Sequence, residues 1–141
     1  MNHIRHFPLS PPRLLDIDSR DARLILAARS WCMLRNARID PLPRILAYLM
    51  SGSVAMRFAV MMDTVQQVWP EPLAMHRPCC GMASVDEALL VRLVVLATSD
   101  LRPQFDELLS DMLNQDARSL LFGRAQMLYQ DVDVQAQGHM R

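Results

Sequence analysis

From Ala88 to Ala97 every residue except Arg92 is apolar. A helix over this stretch has almost no polar face, so it is stable only if other elements cover most of its circumference. The start of that helix is marked. Ser84 followed by Glu87 has the spacing of a capping box, in which the serine hydroxyl and the glutamate carboxylate each satisfy a backbone N–H of the first turn. The spacing predicts a helix over 85–98 at the centre of the fold. It is entered from an irregular segment, His76-Arg77-Pro78-Cys79-Cys80-Gly81.

A central helix needs companions, and the chain supplies them on both sides. Ser19 or Asp18 caps a helix running to about Arg35, with Leu24, Ala27, Ala28, Trp31 and Leu34 at helical spacing. Acids at its start and arginines at its end suit the helix dipole. Asp40-Pro41-Leu42-Pro43 forces a turn, followed by a short helix from Arg44 to Met50. Ser51-Gly52-Ser53 breaks the pattern, and Ser53 is read as the cap of a helix to about Trp69, where two prolines stop it. After the central helix, Pro103 suits a first turn, and Phe105, Leu108, Leu109, Met112 and Leu113 form an apolar stripe. At about 100° per residue an unbroken helix would carry Asp116 into that stripe. A break near Asn114 and a last helix from about Gln115 to Tyr129 remove the conflict, with Gly123 allowing close approach of a neighbour. No stretch alternates with a period of two, so the fold class is all-α: a single-domain bundle of about five or six helices. Residues 1–18 read as a Pro-rich arm, 19–130 as the helical domain and 131–141 as a polar, frayed tail.

Composition excludes several function classes. The chain has 141 residues and a formal net charge of zero, and all 15 basic residues are Arg. Without Lys there is no Schiff-base lysine and no phosphate-loop lysine. Nucleotide-cradling loops are hard to build with 4 Gly, and neither HExxH nor GxSxG occurs. The 3 Cys, Cys32, Cys79 and Cys80, are too few for a secreted disulfide framework. The N-terminus lacks the pattern of a signal peptide, and Ile45–Met62 is interrupted by Ser51, Gly52, Ser53 and Arg57. These features predict a cytoplasmic protein with no membrane span and no cofactor.

Three clusters carry candidate chemistry. His76, Cys79 and Cys80 combine imidazole and thiol groups near a helix start, the ligand set of a soft metal or the setting of a reactive thiol. Adjacent cysteines do not easily share one tetrahedral ion, and further ligands would come from Cys32, His3, His6 or His139. Arg57 and Arg92 lie in apolar helical stretches and need carboxylate partners, for which Asp63, Asp106 and Asp111 are candidates, or an anionic ligand. Arg20, Arg23, Arg29, Arg35, Arg38 and Arg44 make the first third basic, whereas 100–133 is acidic. Aromatics are not interleaved with these arginines, which argues against nucleic acid. The 11 Met cluster with Leu and Val at helical spacing, as core or as an adaptable surface.

These observations predict a small non-enzymatic helical interaction or regulatory module that self-associates as a homodimer, with an unidentified protein partner as a further possibility. Two alternatives stand beside it. One is a thiol- or metal-responsive sensor using His76, Cys79 and Cys80, and the other an anionic small-ligand domain using Arg57 and Arg92.

Overall fold

In a computed structural model of the chain, residues 11–130 are described. Residues 1–10 and 131–141 lie outside them, and with them most of the arm, the tail, and His3, His6 and His139. The described residues form an all-helical bundle: α1 (Ser19–Asn36), α2 (Leu42–Leu49), α3 (Gly52–Val68), α4 (Val85–Thr98), α5 (Arg102–Leu109) and α6 (Gln115–Gln126). A 3-10 turn, Leu14–Asp16, precedes α1.

Local signals set most of the boundaries. Ser84 accepts from the Glu87 N–H and the Glu87 carboxylate accepts from the Ser84 N–H, completing the capping box of α4. Asn114 caps α6 by accepting from the Ala117 N–H, so the helix does break where the apolar stripe required it. At the α2–α3 corner the break is sharp, with the two helix axes bent by 120°. Met50 closes α2 in the left-handed region at φ 63, and the next residue, Ser51, is extended at φ −150. The cap of α3 is therefore Ser51, which accepts from the Val54 N–H, and not Ser53. Pro43 falls inside the first turn of α2, so that helix starts earlier than Arg44. No single helix among the described residues is long and apolar enough to cross a membrane.

The core runs through the bundle from Leu24, Ala28 and Trp31 of α1 to Phe58, Met61 and Val65 of α3. Leu90, Leu93 and Val94 of α4 continue it to Phe105, Leu121 and Phe122. Phe105 and Phe122 meet edge to face at 5.1 Å between ring centroids, joining α5 to α6. Helix α4 packs against α1, α5 and α6, which bury Leu89, Leu90, Leu93, Val94, Leu96 and Ala97. Its remaining side, with Val85, Arg92 and Val95, is exposed. Arg92 was expected inside an enclosed helix and is instead on this free stripe, where water solvates its charge. The most enclosed segment belongs to α1, where every residue from Ala27 to Trp31 is buried, Arg29 and Ser30 included. The expected close approach at Gly123 is not found, since a Cβ there would meet nothing within 4 Å.

Candidate functional site

The enclosure of α1 is completed by the segment between α3 and α4. Pro70, Pro72 and Pro78 deny it regular hydrogen bonding, so its backbone groups must find other partners. They find them on Arg29 and Glu87. The two side chains, 58 residues apart in the chain, form a fork-to-fork ion pair: Arg29 Nε donates to Glu87 Oε2 at 2.9 Å, and Nη2 to Oε1 at 2.9 Å. Both side chains have 0% exposure. The remaining guanidinium N–H groups donate to carbonyls of the loop. Nη1 reaches Cys80 O at 2.7 Å and Arg77 O at 3.2 Å, with Pro78 O at 3.5 Å, and Nη2 reaches Met82 O at 2.7 Å. A guanidinium has five donors in a rigid fork, and here all of them are used.

Glu87 is equally saturated. Besides Arg29 it accepts from the Ser84 N–H at 2.9 Å and the His76 N–H at 2.8 Å. Burial alone would raise its pKa. The bonds from Arg29, Ser84 and His76, with the Arg29 charge, outweigh burial and hold it below the ordinary carboxylate value. Asp86 takes the Ala74 N–H at 2.7 Å, and the Ser84 hydroxyl donates to Ala74 O, so the whole entry to α4 is tied together. On the outer side a short piece of the N-terminal segment lies antiparallel to the loop. Leu14 N donates to Gly81 O at 2.8 Å and Ala83 N to Pro12 O at 2.9 Å, around a bridge between Arg13 and Met82. Carbonyls 80 and 82 thus turn inward to Arg29 while residues 81 and 83 bond outward.

The thiols sit on this braced loop. Cys80 N donates to Arg77 O at 3.0 Å, closing a turn with Pro78 and Cys79 at its corner. Cys79 is exposed; Cys80 is half-buried, with its Sγ 3.5 Å from Met82 O. His76 bonds Glu87 through its backbone N–H, and the residue itself is exposed. Among the described residues no group of three or more His, Cys, Asp or Glu side chains is placed to hold a metal ion. Cys32 lies one turn along α1 from Arg29. Burial, reinforced by the Glu87 charge, pushes its thiol up to about 11.

Two of the three carboxylates considered for Arg57 and Arg92 are engaged with other arginines. Asp63 pairs with Arg35 at 3.3 Å, and Asp106 with Arg102 at 3.0 Å and Arg118 at 3.1 Å. Of the basic set on the first third, Arg29 is interior and not part of a charged surface. The guanidinium of Arg20 stacks on Tyr129 at 3.3 Å and that of Arg35 on Trp31 at 4.9 Å, each from its ring centroid. The buried Arg29 was missed in the sequence although a signal for it existed. Its neighbours three and four residues away, Ile25, Leu26, Cys32 and Met33, are all apolar. The same signal surrounds Arg92, which is exposed, so the pattern does not separate the two.

A second feature lies at the 120° corner between α2 and α3. Leu42, Pro43, Leu46, Gly52, Ala55 and Met56, together with Asp40, line an open groove of about 340 Å³. Met56 in that lining is 55% exposed, and Met50, the residue that closes α2, is 77% exposed; Ile39 and Val60 are also exposed. The sequence grouped these methionines, but it did not separate Met61 and Met62, which are buried, from Met50 and Met56. No protein-family model, curated protein or solved structure matches the chain.

Proposed function

We propose that the protein is a non-enzymatic helical interaction module that self-associates through the α2–α3 corner. The observation that carries this reading is the exposed apolar surface there, a groove lined in part by exposed Met56, with exposed Met50 at the turn between the two helices. Apolar side chains gathered around a groove differ from singly scattered ones, because removing them from water together drives association. The groove has the volume of a small ligand pocket, roughly 300–1,000 Å³ in general, but it lacks the converging polar groups that orient a small ligand. A second copy of the chain suits it better. In a two-fold contact the same patch must supply both the projection and the hollow, and this patch contains both. It also carries both signs of charge, with Asp40 at the groove and its chain neighbours Arg38 and Arg44 exposed, so a two-fold partner can meet each charge with its opposite.

The test is sedimentation equilibrium of the full chain over a wide concentration range, repeated with Met50→Glu and Met56→Glu. The expected outcome is a wild-type dimer that each substitution converts to a folded monomer, since an unpaired carboxylate would be buried in the contact. A monomeric wild type, or a dimer indifferent to both changes, would refute the reading.

A further inference from the structure

The loop over Arg29 presents a feature that self-association does not use. A buried charge pair is an expensive way to hold a loop, since apolar residues of similar volume often stabilise a fold as well or better. What this pair does that apolar residues could not is to fix the carbonyls of Arg77, Cys80 and Met82, and so the backbone that carries two adjacent free thiols. We propose that Cys79 and Cys80 form a dithiol site for a trivalent arsenical.

Ligand count points to that class. A structural zinc ion takes four ligands in a tetrahedron, and the described residues bring no third His, Cys, Asp or Glu side chain to these two thiols in a metal-holding arrangement. A monosubstituted trivalent arsenic needs two thiols only, its third valence being filled by its own substituent, and thiolates prefer soft centres. A direct disulfide fits the loop poorly. The described peptide bonds are all trans, and adjacent Cα atoms across a trans peptide are about 3.8 Å apart, below the roughly 4.4–6.8 Å that disulfides span. Closing it requires the backbone to move, and the bonds to Arg29 on one side and to Pro12 and Leu14 on the other oppose that. An arsenic atom inserted between the sulfurs lets them stay farther apart. With an organoarsenic oxide, two As–S bonds form, the As=O bond and both S–H bonds break, and oxygen and the two protons leave as water. Arsenic stays trivalent, so no oxidant or reductant is needed.

The probe is phenylarsine oxide, added in equimolar amount to the reduced full chain and read by intact mass. The expected product is one adduct per chain, heavier by one phenylarsine oxide less one water. It should survive excess glutathione, be removed by 2,3-dimercaptopropanol, and map to the 79–80 peptide after digestion. Cys79→Ser and Cys80→Ser should each lose the glutathione-resistant adduct, whereas Cys32→Ser should keep it. Because the mapping is done on the wild-type chain, it stands whether or not a variant folds. An adduct that glutathione removes from the wild type, one that includes Cys32, or one that survives either loop substitution overturns the proposal. So does ready formation of a Cys79–Cys80 disulfide with diamide in place of arsenical capture.

Discussion

Two arginine–carboxylate clusters in this molecule use the same chemistry to different ends. At the entry to α4, Arg29 and Glu87 are wholly buried and join α1 to a segment nearly sixty residues away. At the α5–α6 break, Asp106 accepts from Arg102 and Arg118, with 34% of its side chain exposed, and joins two helices that are consecutive in the chain. Arg118 also donates to Leu113 O, and Arg102 to Ser119 Oγ. The second cluster trims a local turn that Asn114 already caps. The first replaces the missing regular structure of a whole loop. The difference shows that the role of an ion pair depends less on its partners than on how much water it has lost and how many other groups rely on it.

The comparison breaks most readily at Arg29. Arg29→Met leaves Glu87 buried without its cation and removes the donors to the loop carbonyls, so a loss of about 3–5 kcal/mol is expected in urea denaturation. A loss no greater than that of a surface pair would erase the distinction. A smaller effect, of about 1–2 kcal/mol, is expected for Ser84→Ala, which removes the cap on the Glu87 N–H and the bond to Ala74 O. If Ser84→Ala instead matched Arg29→Met, the capping box and not the ion pair would be the main support of the loop. Asp106→Asn should lose only about 0.5–1 kcal/mol, and the loss should shrink as salt is added, because solvent already screens that cluster. The Arg29→Met loss should be nearly independent of salt.

Acid offers a separate way to sharpen the contrast. The folded-state pKa of Glu87 is depressed, so the unfolded chain binds its proton first as pH falls. The stability Glu87 contributes is therefore fully present above its unfolded value of about 4.3 and is lost as pH falls through the lower folded value. Wild type and Glu87→Gln should differ most near neutrality and converge in strong acid. Parallel acid curves for the two proteins would mean that Glu87 does not titrate in this window.

Much of the helical frame was legible along the chain. The Ser84–Glu87 box, the break at Asn114 and the stop at Trp69 depend on side chains acting on backbone groups within about one turn, so sequence spacing reveals them. The corner at Met50 was legible as a break but not in its cap, because Ser51 and Ser53 both have the chemistry and only the backbone path selects Ser51. The candidate sites were less legible. Glu87 was visible as a cap and invisible as the partner of Arg29, and Arg29 and Arg92 sit in equally apolar sequence contexts yet end up inside and outside.

What the sequence by itself determined, then, is where helices start and stop, that they bury one another, and that Lys chemistry and the common catalytic and phosphate-binding motifs are missing. Those properties are set by interactions between near neighbours or by composition. Only the tertiary structure decided which arginine is enclosed, which loop is clasped around it, and which methionines are buried and which exposed. Each of these depends on groups brought together across long stretches of chain, where the packing of whole helices, and not local spacing, determines what loses its water.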